Sequence, residues 1–262
     1  MPLYVLLAVG LSLINDTTTE REENFKQYFD DFGVEGSFIL LDESEQQYTY
    51  YNKERCHTAY SPASTFKIPN TLIVLEENIV EDENTVIYWK GKEWSISAWN
   101  QDLPLKNAFR FSCVPCYIQM AEQISEDQYR KHLQTLGYGN QDPGGSEKNA
   151  FWLDGNLRIS AREQIDFLQK LYHEDLPYSQ AHLQIVKNIL LDETTEDYSL
   201  SAKSGWNNQL HNTNLGWYVG YLVKNEKVYY FATNIESKDP HDNFIRARKE
   251  ITINILKALK II

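Results

Sequence analysis

The stretch Pro62-Ala63-Ser64-Thr65-Phe66-Lys67-Ile68-Pro69-Asn70 places a serine and a lysine three residues apart, just before an apolar run. If Ser64 lies at the N-terminus of a helix, this spacing brings the Lys67 nitrogen beside the Ser64 hydroxyl. A serine hydroxyl needs a neighbouring base to become a good nucleophile, and the N–H groups of a helix N-terminus can stabilise an oxyanion. The same pattern is typical of a helix-capping serine followed by an exposed lysine, so it does not decide the chemistry alone.

A second motif, Lys203-Ser204-Gly205, lies in the strand-like segment Tyr198–Trp206. It joins a cation and a hydroxyl to a glycine, which lets a substrate backbone approach closely. The motifs S-x-x-K, S-D-N and K-T-G occur in this order in class A β-lactamases and penicillin-binding proteins. Here the third motif is K-S-G, and Ser112-Cys113-Val114 takes the middle place with valine instead of asparagine.

A longer series of segments resembles the class D, or oxacillinase-type, β-lactamases. Besides the Ser64 stretch, the matching segments are Trp99-Asn100, Ser112-Cys113-Val114-Pro115, Tyr138-Gly139-Asn140, Trp152-Leu153-Asp154-Gly155, Lys203-Ser204-Gly205-Trp206 and Gly216-Trp217-Tyr218-Val219-Gly220. Their order and spacing are those of the family. The resemblance covers nearly the whole chain and implies a serine enzyme that hydrolyses β-lactam antibiotics and confers resistance.

The resemblance also implies catalytic roles. Ser64 is expected to be acylated by the β-lactam carbonyl, and Lys67 to be carboxylated to N6-carboxylysine and to act as general base. The indole N–H of Trp152 is expected to hold this carbamate, although an ordinary core tryptophan is the alternative. Ser112 relays a proton to the leaving nitrogen, which Lys203 polarises. Carbon dioxide or bicarbonate is required, while no other cofactor and no metal is expected.

Substrate binding is implied at a second set of residues. Backbone N–H groups of Ser64 and Trp206 are expected to form the oxyanion hole. Arg248 is expected to bind the substrate carboxylate together with Lys203, and Arg246 is the second candidate for this role. The remaining residues expected to line the substrate site are Val114, Ser204 and Gly205.

The residues around Lys67 fit the chemistry of carboxylation. A lysine must be neutral to react with carbon dioxide, and burial among apolar side chains lowers its pKa. The candidate walls of this pocket are Phe66, Ile68, Val114 and Leu153. Valine at 114 has a physical reason, because an amide there would hydrogen-bond to the lysine or admit water.

Strand patterns lie near both ends of the chain. Helical spacing from Phe25 to Phe32 stops at Gly33, and hairpins are predicted at 37–51 and 216–234. The middle is mostly helical, with capping boxes at Ser125 and Ser160. The helices predicted there and at the C-terminus are Ser125–Leu136, Ala161–His173, Gln180–Leu191 and Arg246–Ile262. We therefore expect an α/β (mixed α+β) fold, in which an antiparallel sheet built from both chain ends has flanking helices and an inserted, mainly helical lobe.

The chain has 262 residues and a net charge of -12, which disfavours binding to nucleic acid or to anionic lipid surfaces. The apolar run Leu3–Ile14 is too short to span a bilayer and predicts an atypical signal peptide over residues 1–15, with export to the periplasm or medium. A buried N-terminal strand is the alternative. Residues 16–262 are expected to form one domain, and no pattern specifies an oligomeric state.

Cys113 and Cys116 form a C-x-x-C pattern at positions that are usually small and apolar in the family. We expect two small buried hydrophobic residues, with a disulfide as the main alternative in an exported protein. A redox or metal role is a further alternative, but only one other cysteine exists and no histidine pair has ligand-like spacing.

Three other functions compete with hydrolysis of a small-molecule β-lactam. A β-lactam sensor domain would stay acylated, although Val114 replaces the asparagine that such sensors tend to carry. A peptidoglycan transpeptidase or carboxypeptidase is disfavoured by Trp152 and by Phe66. A catalytically inactive binding module is disfavoured because every catalytic residue type is present.

Overall fold

A computed structural model describes residues 18–146, 149–208, 213–238 and 243–262. Within these ranges the β-structure is a seven-stranded sheet and a two-stranded ribbon. In chain order the strands are β1 Thr19–Glu22, β2 Glu35–Asp42, β3 Gln47–Tyr51, β4 Val86–Ile87, β5 Leu103–Pro104, β6 Leu191–Thr194, β7 Ser199–Asn207, β8 Asn214–Lys224 and β9 Lys227–Ser237.

The helices lie mainly between β3 and β6. They are α1 Lys26–Asp30, α2 Lys53–His57, α3 Lys67–Glu76, α4 Leu105–Arg110, α5 Val114–Ala121, α6 Glu126–Leu136, α7 Ala161–Tyr172, α8 Gln180–Leu190 and α9 Asn243–Ala258. Short 3-10 helices cover Ala63–Phe66 and Ser97–Trp99. None of the helices in the described ranges is both long and apolar enough to cross a membrane.

The large sheet has the order β1-β3-β2-β9-β8-β7-β6 and is antiparallel except for the β1–β3 pair. Strands from both ends of the chain therefore meet, which confirms the predicted architecture. The predicted β8–β9 hairpin turns at Asn225 and Glu226, both with positive φ. Two such residues match the twist of the adjoining strands.

Both predicted capping boxes are present. The Ser125 hydroxyl accepts from the N–H of Gln128, and the Ser160 hydroxyl from that of Glu163. Each hydroxyl satisfies an N–H that has no partner inside its helix, so α6 and α7 begin where the sequence predicts.

Three predicted segments differ from the structure. The polar composition of residues 16–23 predicts a linker before the first helix, whereas Thr19–Glu22 forms the exposed edge strand β1, in which Arg21 donates to Thr49. The first helix is only five residues long, because it is followed by a turn in which the Gly33 N–H donates a hydrogen bond to the Asp30 carbonyl. The last helix begins at Asn243 and ends at Ala258, four residues earlier than expected.

Each face of the sheet packs against helices, because successive side chains of a strand point to opposite faces. Phe38 and Phe231 lie in one apolar core with α1 and α9, whereas Ile39 and Tyr230 lie in the other with the helical middle. The Ala63–Phe66 turn contacts β7 and β8, and α3 follows it into the helical lobe. Ser64 therefore lies at the junction of sheet and lobe.

Candidate active site

Ser64 lies in the 3-10 turn, and Lys67 is the first residue of α3. The Lys67 Nζ atom donates to the Ser64 Oγ atom at 3.0 Å, as the motif spacing predicts. Ser64 is 7% exposed and Lys67 only 1%. The serine is thus the member of the pair that a substrate can reach.

Long-range contacts hold this turn in place. Ala63, just before the serine, has φ of 49°, a left-handed conformation that costs a non-glycine residue energy. Its N–H donates to the Trp152 carbonyl at 3.0 Å. A Cβ atom at Gly205 would lie 3.2 Å from the Pro62 carbonyl oxygen, so glycine there allows β7 to approach the turn.

Burial, and secondarily the positive charge of Lys203, holds the pKa of Lys67 well below its usual range. No ion pair of Lys67 with a carboxylate occurs among the described residues. The expected walls Phe66, Ile68 and Leu153 are buried, and Val114 is half-buried. A low dielectric without a counter-charge favours the neutral amine.

Trp152 is fully buried and stacks on Phe66, with 5.6 Å between ring centroids. Its Nε1–H has no hydrogen-bond partner among the described residues. A buried donor without an acceptor is unfavourable by about 1–3 kcal/mol, so this N–H requires an acceptor that the described residues do not supply.

Ser112 lies between α4 and α5 with φ of 52°. Its Oγ accepts a hydrogen bond from Lys203, which also donates to the Ser204 carbonyl at 2.9 Å. Burial, followed by the charge of Arg248, lowers the pKa of Lys203 to about 7. The structure therefore brings Ser112 together with a lysine that can gain or lose a proton near neutral pH.

Arg248, not Arg246, reaches the K-S-G strand. Its Nη1 atom donates to the Gly205 carbonyl at 3.0 Å, and burial lowers its pKa to about 10. A Cβ atom at Gly216 would come within 2.9 Å of the Arg248 side chain, so glycine leaves room for it. Arg246 is exposed and binds Glu250 at 2.8 Å.

Ser204 and Trp206 complete the predicted substrate residues. Ser204 is half-buried beside Lys203, and Trp206 is 37% exposed, with its Nε1 donating to Asn214 at 3.0 Å. Trp206 pairs with Gly216 on β8, which fixes the direction of its backbone. The oxyanion hole of Ser64 and Trp206 remains a prediction.

Cys113 and Cys116 form a disulfide, which corrects the expectation of two unlinked hydrophobic residues. Cys113 caps α5 and Cys116 lies in its first turn, so their Cα atoms are 5.4 Å apart, within the range a disulfide spans. Helix geometry thus brings the two thiols together. Cys56 is free and buried, and burial raises its pKa to about 12.

Sequence reasoning missed two polar residues that support the site. The Asn207 amide donates to the Leu153 carbonyl at 2.6 Å and to the Ser61 hydroxyl at 3.0 Å, which joins the end of β7 to the Ser64 turn. Tyr117 hydrogen-bonds to Thr71 at 2.6 Å, and Lys67 Nζ lies 5.0 Å from its ring centroid. The one sequence signal for these two residues is their position, because Asn207 follows the K-S-G-W segment and Tyr117 lies shortly after Ser112-Cys113-Val114-Pro115.

Comparisons with known proteins agree with this geometry. The family model of the penicillin binding protein transpeptidase domain matches residues 16–257. Beta-lactamase OXA-48 of Klebsiella pneumoniae is 39% identical over 243 residues, 93% of this chain and 90% of that protein. The class D β-lactamase from Sebaldella termitidis is 38% identical with a TM-score of 0.88, covering 94% of this chain and 99% of that one.

A penicillin receptor is also similar in structure. The C-terminal domain of Bacillus licheniformis BlaR is 30% identical with a TM-score of 0.87, covering 94% of this chain and 98% of that one. The two β-lactamases are nevertheless more similar in sequence to this chain than this receptor is, at 39% and 38% identity against 30%. The chain belongs to the class D β-lactamases, a group of enzymes with the transpeptidase domain.

Proposed function

We propose that this enzyme hydrolyses β-lactams through acylation of Ser64, with a carboxylated Lys67 as general base. The observation that carries the proposal is a buried lysine with a lowered pKa, in contact with the serine and with no acidic partner among the described residues. A carbamate on Lys67 supplies a basic oxygen beside the serine. The neutral amine that carboxylation needs is the form that burial favours.

The free Trp152 N–H supports this modification. It is a buried donor without an acceptor among the described residues, and its ring stacks on Phe66, the residue that precedes Lys67. An anionic oxygen on Lys67 would accept from it in a charge-assisted hydrogen bond. The apolar walls exclude water that would otherwise compete for both groups.

The other residues act on the substrate. Lys203, with its pKa near 7, exchanges a proton with the Ser112 hydroxyl, which passes it to the leaving nitrogen. The Arg248 guanidinium remains charged at neutral pH and binds the ring carboxylate together with Ser204 and Lys203. Backbone N–H groups of Ser64 and Trp206 stabilise the oxyanion.

We further propose that the enzyme acts outside the cytoplasm and thereby confers resistance. The Cys113–Cys116 disulfide supports this location, because disulfides persist in oxidising compartments. The predicted signal peptide at residues 1–15 lies outside the described residues.

One experiment tests the mechanism. Intact-protein mass spectrometry after penicillin exposure should show an adduct that disappears by turnover in the wild-type enzyme and never forms in Ser64→Ala. Stripping carbon dioxide or lowering the pH should reduce turnover, and bicarbonate should restore it. Indifference to bicarbonate, with no carbon-13 carbamate signal, would exclude the Lys67 role. A wild-type adduct that persists would indicate a receptor like BlaR.

A further inference from the structure

A cavity of about 650 Å³ adjoins the proposed active site. It lies between α4, the end of α8, β7 and α9, and Lys203, Ser204 and Arg248 form part of its wall. A β-lactam whose ring carboxylate binds these three residues would lie beside this space.

The cavity wall is strongly cationic. Its positively charged residues are Lys106, Arg110, Lys203, Arg246, Arg248 and Lys249, and its acidic residues are Asp192 and Glu250. Each acid already binds one cation, since Lys249 pairs with Asp192 at 2.8 Å and Arg246 with Glu250 at 2.8 Å. Four cations therefore remain without a carboxylate from the described residues.

Three of these four cations bind neutral groups within the described residues. Lys106 donates to the Asn84 side-chain oxygen at 2.9 Å, Lys203 to Ser112 and to a carbonyl, and Arg248 to carbonyls. Arg110 is exposed and forms no ion pair with a described residue. The chain as a whole carries a net charge of -12, so the charge of this cavity wall is opposite in sign to that of the whole molecule. Concave walls of one sign focus the field and attract ligands of the other sign.

One substrate carboxylate does not use all four charges. Lys203 and Arg248 account for the ring carboxylate, whereas Lys106 and Arg110 lie four residues apart on one face of α4. Two cations at this spacing repel each other unless an anion lies between them. Their position beside the site but away from Ser64 fits a second anionic group on the same substrate.

We propose that Lys106 and Arg110 form a second anion subsite, for β-lactams that carry a sulfonate or carboxylate on the substituent next to the ring carboxylate. In a cephalosporin this substituent is at C3. The proposal rests on the proposed acylation of Ser64, and it names a substrate class for the same site.

Two cephalosporins provide a matched test. Cefamandole and cefonicid have the same acyl side chain and a tetrazolylthiomethyl group at C3, but cefonicid carries a sulfonate there where cefamandole carries no charge. The second-order rate constant of Ser64 acylation is measured for both by rapid-quench intact mass spectrometry. The full chain is compared with Lys106→Ala/Arg110→Ala and with Lys131→Ala/Lys257→Ala, which removes two exposed lysines outside the cavity.

We expect the wild-type enzyme to react about tenfold faster with cefonicid than with cefamandole, as one charge-assisted contact provides. This ratio should fall to about one in Lys106→Ala/Arg110→Ala, and the Lys131→Ala/Lys257→Ala control should keep it. A wild-type ratio of one or below would overturn the subsite, as would an equal loss in the control, which would indicate long-range attraction only.

Benzylpenicillin separates the subsite from the function on which it rests. If it acylates Ser64 and neither cephalosporin does, the subsite is wrong and the proposed function stands. If none of the three compounds acylates Ser64, the proposed function fails and the subsite fails with it.

Discussion

Trp152 packs in the core and keeps an N–H that is available to an acceptor on Lys67. Its ring stacks on Phe66, and its N–H has no acceptor in the described polypeptide. We expect Trp152→Phe, which retains an aromatic ring, to acylate normally but to deacylate about 10- to 100-fold more slowly, because the carbamate loses a charge-assisted hydrogen bond of about 1.5–3 kcal/mol. Stopped-flow assays should show a burst of about one equivalent, partly rescued by bicarbonate.

Trp217→Phe is the matched control for this prediction. Trp217 is equally buried, but its Nε1 donates to the Ser61 carbonyl at 2.9 Å, a bond within the polypeptide. This variant should lose thermal stability without a burst. If Trp152→Phe also loses only stability, Trp152 is a core residue and nothing more.

The two arginines of α9 offer a direct comparison at the residue scale. Arg248 faces the Gly205 carbonyl and the cavity, whereas Arg246 is paired with Glu250 in solvent. Arg248→Ala should raise KM about 10- to 100-fold with little change in kcat, since the lost ion pair binds ground state and transition state alike. Arg246→Ala should change neither value more than twofold. Steady-state kinetics with one penicillin measures both variants. The reverse pattern would show that Arg246, and not Arg248, binds the substrate carboxylate.

At the scale of elements, two predicted site residues lie at the first turn of α5. Ser112 precedes the Cys113 cap, Val114 begins the helix, and the Cys113–Cys116 disulfide closes the same turn. Opening the disulfide allows Ser112 to leave its left-handed conformation, which is costly for serine. Cys113→Ala/Cys116→Ala should therefore lower kcat and reduce the free energy of unfolding by about 2 kcal/mol.

Reduction of the wild-type enzyme should have the same effect as this double substitution. Cys116 borders a cavity of about 190 Å³ near Trp94 and Trp99, which gives a small reductant access. Kinetics and thermal melts with and without a phosphine reductant provide the measurement, and Cys56→Ala, which removes the free buried thiol, should respond like the wild type. An unchanged kcat after confirmed reduction would leave the disulfide without influence on Ser112.

Local signals predicted the elements well, whereas long-range contacts were not predictable. The capping boxes at Ser125 and Ser160 depend on residues three positions apart, so the sequence shows both partners. The sequence of β1 resembles a polar linker because its four side chains are exposed and polar. Its strand conformation depends on pairing with β3, which is distant in the sequence. Asn207 acts through contacts with residues 54 and 146 positions away. The motif spacing thus predicted the contact between Ser64 and Lys67, but not the residues that hold the turn in place.

On the scale of the whole molecule, the candidate active site brings three buried basic side chains together. Lys67, Lys203 and Arg248 all have pKa values lowered mainly by burial. Each costs folding free energy while it is protonated, because its charge leaves water without meeting a described carboxylate. The two apolar cores on either side of the sheet must offset this cost.

This cost should be visible in the pH dependence of stability through Lys203. Its pKa is about 7 in the folded protein and 10.5 when unperturbed, so between these values the unfolded state binds more protons and its contribution to stability rises with pH. Lys203→Met removes the contribution. Its free energy of unfolding relative to wild type should be highest below pH 7 and should fall by up to about 1.4 kcal/mol per pH unit towards pH 10. Groups that do not interact with Lys203 cancel in this difference, whereas Lys67 loses the repulsion of the Lys203 charge and its pKa rises in the variant.

Urea denaturation from pH 6 to 10, in buffer free of bicarbonate so that Lys67 remains an amine, measures that difference. Lys131→Met replaces an exposed lysine and should run parallel to the wild type over the whole range. If the Lys203→Met curve were parallel as well, Lys203 would have the same pKa in the folded and unfolded protein. It would then stay protonated at neutral pH, and the proton exchange with Ser112 on which the leaving-group step depends would be lost.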